Sequence, residues 1–219
     1  MQLTDVEVRI LGSLVEKETT TPDAYPLSLN ALVNACNQTS NRDPVMALGE
    51  DAVRWAINNL RQQSLVRAIQ RSDSRVMKYQ HLMTETMSLD GAPLAVLCVL
   101  MLRGAQTPGE IRGRTGRLFE FASVADVDAT LRELITRELV AELPRRAGQK
   151  ELRYAHLLSG TASATAVIEE PRERSAVETK ARADDGDERI VALETMVEEL
   201  RRELAELRAR FEEFQRQFG

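Results

Sequence analysis

An internal repeat, two alternating hairpin segments and an unbroken heptad series predict the fold class of this 219-residue chain. The expected fold is mainly α with small β-hairpin wings: two tandem winged helix-turn-helix domains plus a C-terminal coiled-coil helix. Residues 53–71 match residues 127–145 at an offset of 74, so that Val53, Ile57, Leu60, Leu65, Val66 and Arg71 fall on Val127, Leu131, Leu134, Leu139, Val140 and Arg145. The offset then becomes 75, and Tyr79, His81 and Leu82 fall on Tyr154, His156 and Leu157. A one-residue slip between two strand-like runs marks a turn of variable length. The implied domains are residues 1–83 and 84–160, then a linker over 161–187 and a helix over 188–219.

Each copy reads in the same order. The first helix of copy one opens at Thr4 with Glu7 three residues later, a capping box, and carries Ile10, Leu11, Leu14 and Val15 on one face. Copy two offers Val96, Leu97, Leu100 and Met101 in the same role. A short second helix is expected near Ser28 and near Thr107-Pro108, where proline suits a first helical turn. The third helix is amphipathic in both copies, with Val53, Ala56, Ile57 and Leu60 in one and Val127, Leu131, Leu134 and Ile135 in the other. A strand, a polar turn and an alternating return strand follow, with turns at 71–75 and 145–150. Copy one also carries the insertion TTTPDAYPLSLN and the polar loop NQTSNRDPV.

The runs LVEKETTTPDAYPLSLNALVNACNQTSNRDPVMAL, LMLRGAQTPGEIRGRTGRLFEF and RYAHLLSG closely resemble the YceH family of bacterial proteins. That resemblance covers nearly the whole chain and weakens over 161–187. It implies tandem winged-helix domains, and no reaction, cofactor or ligand.

The tail is read from its pattern. Residues 161–187 are rich in Ala, Ser, Thr, Glu and Arg, the composition of a flexible linker. Beyond them Ile190, Leu193, Val197, Leu200, Leu204, Leu207, Phe211, Phe214 and Phe218 fill the a and d positions of four heptads, which predicts a homodimer or a partner with a similar helix. A parallel pair sets Glu203 against Arg208 of its partner, whereas an antiparallel pair faces Arg201 and Arg208 across the seam. Folding back onto the domains is the alternative.

Composition limits the function classes. The net charge of -5 is confined to the tail: residues 1–83 hold nine basic and nine acidic side chains, 84–160 ten and ten, 161–219 ten and fifteen. Bulk charge therefore neither recommends nor excludes a polyanion. The chain opens MQLTDVEV and has no apolar run of membrane-spanning length, so a cytoplasmic protein is expected. Cys36 and Cys98 stand alone, which fits buried free thiols in a reducing compartment. Gly104-Ala-Gln-Thr-Pro-Gly109 opens like a phosphate-binding loop, but Glu110 and Ile111 stand where Lys and Ser or Thr are required. His81 and His156 occupy equivalent repeat positions, which duplication of a structural site explains better than catalysis or metal binding. No catalytic residue, cofactor, metal or small-molecule substrate is expected, and the chain reads as a non-enzyme.

The nucleic-acid signals are local. On the third helix of copy one, Arg54, Asn58, Asn59, Arg61 and Gln62 are donor-rich side chains of the kind that read base edges or contact phosphate, and Arg71 and Arg75 flank them in the wing turn. Glu50 and Asp51 at its N-terminus oppose a phosphate backbone or serve the helix dipole. Copy two has Asp126, Asp128 and Glu133 beside Arg132 on its third helix, with its basic residues at Arg112, Arg114, Arg117, Arg145, Arg146 and Lys150. Trp55, the sole tryptophan, lies beside the apolar stripe of its helix and is expected to serve domain packing rather than base stacking. Two readings follow: a dimeric protein associated with duplex DNA, regulatory or architectural, or an assembly module whose winged helices grip other polypeptides.

Overall fold

The sequence orders its elements by where each helix can start and which face it can bury. The computed structural model describes residues 2–70, 76–144 and 151–159, all within one unit of chain, Met1–Glu170. Among them are seven α-helices and two small antiparallel sheets, an arrangement compatible with a winged-helix plan.

The order is α1 (Asp5–Thr20), a 3-10 turn at Pro22–Ala24, β1 (Leu27–Ser28), α2 (Leu29–Cys36), α3 (Glu50–Gln62), β2 (Val66–Ile69), β3 (Lys78–His81) and α4 (Met83–Met87). Then come α5 (Gly91–Arg103), α6 (Pro108–Thr115), α7 (Val124–Thr136), β4 (Val140–Leu143) and β5 (Arg153–His156). The repeat reappears in these bounds: α3 and α7 begin 74 residues apart, as do β2 and β4, whereas β3 and β5 begin 75 apart. The turns at 71–75 and 145–150, the linker at 161–187 and the heptad helix at 188–219 lie outside the described residues.

Helix starts follow from side-chain caps. The Thr4 hydroxyl accepts from Glu7 N–H at 3.3 Å while Glu7 Oε2 accepts from Thr4 N–H at 2.8 Å, closing the box read from the sequence. Thr107 with Glu110 and Ser123 with Asp126 do the same for α6 and α7, and Ser28 caps α2. The insertion TTTPDAYPLSLN is not a bare loop. It forms the 3-10 turn and β1, which pairs with β3 through Leu27 and Tyr79, so the first sheet has order β1-β3-β2. The second sheet is β4-β5, extended by a bridge between Gln106 and Tyr154.

The helix expected to bury one face buries all of them. From Glu7 to Val15 every residue of α1 is buried, and so is every residue of α5 from Leu94 to Leu102. The reason is mutual: α1 packs on α2 and α3 and also against α5, which in turn carries α6 and α7. Gly12 makes the approach possible, since a Cβ there would stand 2.8 Å from Leu102 Cδ2 and 3.2 Å from Met101 Cβ. The Cys98 thiol lies 3.4 Å from the Gly12 carbonyl across the same contact. Residues of both repeat copies thus share one hydrophobic core, and the Leu3 N–H donates to the Leu158 carbonyl at 2.8 Å, tying the two ends of the described chain together.

Two buried arginines hold the polar loop that leads into α3. Arg9 donates to the carbonyls of Cys36 (3.1 Å) and Pro44 (2.6 Å). Arg42 grips both carboxylate oxygens of Glu16, at 3.1 and 2.7 Å, and donates to the Ala35 carbonyl. Burial opposes ionisation of Glu16, but Arg42 outweighs it and holds the carboxyl below the ordinary range. The Asn37 carboxamide exchanges hydrogen bonds with both backbone groups of Leu48, and Asp43 N–H donates to the Leu102 carbonyl at 2.9 Å.

The equivalent histidines serve unlike ends. His81 is buried, with Nε2 2.8 Å from Glu18 Oε2, while Nδ1 accepts from Met83 N–H at 3.2 Å. His156 Nδ1 is buried without a protein partner among the described residues, and burial pushes its pKa down to about 4, against a smaller opposing pull from Asp5.

Two outcomes follow for stability. Gly12→Leu forces four carbons into the α1–α5 contact and should cost about 1–3 kcal/mol or more by urea denaturation, despite relieving the roughly 1 kcal/mol helix penalty of glycine. An unchanged midpoint means that the helices have room to spare. As pH falls from 6.5 toward 4, the unfolded chain takes a proton on His156 that the folded chain refuses, so stability drops. Between pH 7 and pH 5 this loss should reach roughly 2 kcal/mol, and His156→Phe should remove it. Equal pH dependence in both proteins shows that His156 is not the group responsible.

Candidate nucleic-acid interface

The loop from Asn37 to Leu48 delivers the chain to α3, whose buried side is Val53, Ala56, Ile57 and Leu60. At helical pitch the residues farthest from those four are Asp51, Trp55, Asn58 and Gln62, which follow one another four, three and four positions apart and form one outward stripe. All four are exposed. Arg54 and Arg61 run along one flank of this stripe, both exposed, and Arg54 is ion-paired with Glu50 one turn earlier. An exposed pair of this kind contributes little to stability and leaves the guanidinium available to exchange partners. Asn59 lies on the other flank and is half-buried.

Trp55 departs from expectation. Rather than serving domain packing, its side chain stands 62% exposed, because its position on α3 points away from the core that α1 and α2 supply. Sequence spacing alone places it nearer the outward centre than the apolar edge, and that is the signal the sequence offers.

The same positions of α7 carry different chemistry. Ala125, Ala129, Arg132 and Thr136 occupy the outward stripe, and Asp128 and Ile135 stand where Arg54 and Arg61 stand on α3. The basic residues of the second copy cluster instead on and after α6. Arg112 donates to the carbonyls of Phe121 (3.3 Å) and Ala122 (3.0 Å), fixing the segment before α7. Arg114 lies 3.5 Å from Glu110, which Arg153 also contacts at 2.9 Å, so its charge is partly balanced. Arg117 is exposed in the turn that follows α6. Arg71, Arg75, Arg145, Arg146 and Lys150 fall outside the described residues, as do Ile190, Leu193, Val197, Leu200, Leu204, Leu207, Phe211, Phe214 and Phe218.

Little on the described surface suits bond-making chemistry. Burial pushes the Cys36 thiol up to about 11 and raises Cys98 further, so neither supplies a thiolate near neutral pH. Among the described residues no group of three or more His, Cys, Asp or Glu side chains is placed to hold a metal ion. A cleft of about 180 Å³ opens where α1, the 43–46 segment, the end of α5 and β5 meet, with Arg9, His156, Asp5 and Asp43 as its polar lining. No described helix is long and apolar enough to cross a membrane.

Comparison with known proteins identifies the lineage. Residues 3–149 match the family described as "Protein of unknown function, DUF480". A UPF0502 protein of Pelobacter propionicus is 48% identical over the whole of this chain and 99% of its own length. One from Herminiimonas arsenicoxydans is 48% identical over 96% of this chain and 88% of its own, and one from Solibacter usitatus is 46% identical over 99% and 98%. None of these names specifies an activity. The chain thus belongs to the DUF480 family, and the relatives it matches carry the name UPF0502.

Proposed function

We propose that this is a non-enzymatic, cytoplasmic protein of two tandem winged helix-turn-helix domains that associates with duplex DNA in a regulatory or architectural role, dimerised by the heptad helix of residues 188–219. The observation that carries the DNA reading is the exposed outer face of α3, where Asn58 and Gln62 stand in solvent beside the two flanking arginines. Carboxamides and guanidinium groups are the side chains that hydrogen-bond to base edges and phosphates at once. The fold supports the reading because α3 is the third helix of its copy, the one that enters the major groove in helix-turn-helix proteins. The heptads support the dimer, since a strict 3.5-residue repeat suits a narrow seam.

A second reading is favoured by copy two. Phe119 and Val124 are exposed where the chain enters α7, and Asp126 and Glu133 lie on that helix, a mixture better matched to a polypeptide than to phosphates. On this reading the protein is an assembly module.

Binding to random duplex DNA at several salt concentrations separates the two. With about three or four phosphates engaged per protomer, log K falls with log salt at a slope near 3, and Arg71→Ala with Arg75→Ala lowers that slope by about 1 for each phosphate no longer neutralised. A flat dependence, or no binding at low salt, turns the conclusion to assembly. Deleting residues 188–219 should convert a dimer to a monomer in sedimentation, and a truncated chain that still sediments as a dimer places the interface elsewhere.

A further inference from the structure

Trp55 is the largest exposed apolar side chain on α3, and it lies on the outward stripe, on the side of Asn59. The fold does not require it there: the equivalent position of α7 is Ala129, on a helix of the same length and the same core pattern. Leaving an indole 62% exposed forgoes the stabilisation that burying so large a ring would bring. The side chains around it are selective in type. One turn before it stands the carboxylate of Asp51, and one and two turns after it the carboxamides of Asn58 and Gln62, while the guanidinium groups of Arg54 and Arg61 are displaced to a flank.

Three of these groups, the indole and the two carboxamides, have a partner on one kind of base pair, whereas the carboxylate of Asp51 is matched to the amino group of cytosine. A carboxamide hydrogen-bonds in bidentate fashion to N6 and N7 of adenine, a carboxylate accepts from an exocyclic amino group, and the only apolar group in the major groove is the 5-methyl of thymine. The group that reads guanine in bidentate fashion, a guanidinium, is absent from the centre of the stripe. Three residues of helix rise about 4.5 Å, close to the roughly 3.4 Å step between stacked base pairs. Trp55 and Asn58 therefore meet neighbouring pairs on a helix lying along the groove. Resting on the DNA reading above, we infer that Trp55, Asn58 and Gln62 are set for A·T pairs in the major groove, with Trp55 seated on a thymine methyl as the residue that selects thymine.

The test uses the full-length protein and three duplexes of equal length: one rich in A·T, one rich in G·C, and the A·T duplex with uracil in place of thymine, which lacks only the methyl groups. Because Trp55 is the sole tryptophan, its fluorescence reports contact directly. The expected result is tighter binding of the A·T duplex than of the G·C duplex by at least about fivefold, with the Trp55 emission quenched. Uracil replacement should weaken binding by about fourfold for each methyl buried. Trp55→Ala should abolish the distinction between thymine and uracil while leaving the salt slope unchanged, and Trp55→Phe should restore part of it. Salt-dependent binding in which thymine and uracil duplexes are equal, or in which Trp55 emission does not change, overturns the thymine assignment and leaves DNA association standing. No binding to any duplex, with Trp55→Ala abolishing association with another polypeptide, overturns both and makes the stripe a protein contact.

Discussion

The close packing of α1 against α5 at Gly12 is the contact on which the arrangement of everything else depends. A helix that buries nine consecutive residues, Glu7 to Val15, has no solvent face in that stretch, and α5 is in the same condition from Leu94 to Leu102. Neither is stable with only the neighbours of its own repeat copy, because a second apolar side would then stand in water. Each therefore completes the other's burial, and at about 1.5–3 kcal/mol for a fully buried Leu or Ile the loss of that shared surface would outweigh any loop or surface ion pair. Since α3 packs on α1 and α7 on α5, the α1–α5 contact is the largest link between α3 and α7.

A second constraint acts on α3 alone. Its N-cap is Gly49, which offers no side-chain acceptor, so the start of the helix is placed by the loop before it. That loop is held from inside by hydrogen bonds from Arg9 and Arg42, with Leu48 packed against the core at its end. A buried guanidinium is costly unless its donors are met, and here carbonyls of Cys36, Pro44 and Ala35 and the carboxylate of Glu16 take up the terminal nitrogens of Arg9 and Arg42, leaving Arg9 Nε without a partner among the described residues. Such a network contributes less to net stability than to uniqueness: only one path of the backbone satisfies it. The same loop reaches α5 through Asp43 and through the Arg103–Asn41 hydrogen bond, so the α3 surface is referenced to both copies.

Much of this is legible in the sequence, and the failures have a common cause. Local signals hold: the Thr4–Glu7 box starts α1, Ser28 and Thr107 start α2 and α6, and the offsets of 74 and 75 recur in the observed elements. What depends on a distant neighbour is not legible. Residues Leu27 and Ser28 form a strand only because β3 passes beside them, and a two-residue run carries no alternation to read. The side of α1 that meets α5 is hidden because it runs through Gly12, which gives no apolar signal, and Arg9 and Ser13, buried on the side of Cys36, look polar until their surroundings are known. Residue type is enough to find the donors of α3, whereas type alone assigns Trp55 to packing and its angle on the helix leaves it exposed.

Duplication supplies its own control. Where both copies keep a residue type, as at Val53 and Val127 or Leu60 and Leu134, both side chains are buried, and the shared requirement is packing. Where they diverge on the outward stripe, as between Trp55 and Ala129 or between Asn58 and Arg132, the residues are exposed and packing imposes no demand on their type. One copy has accumulated hydrogen-bonding amides and an indole on that stripe, the other small side chains, with an acidic residue where Arg54 stands on α3. Two helices of equal length and equal core pattern thus present unlike outer faces.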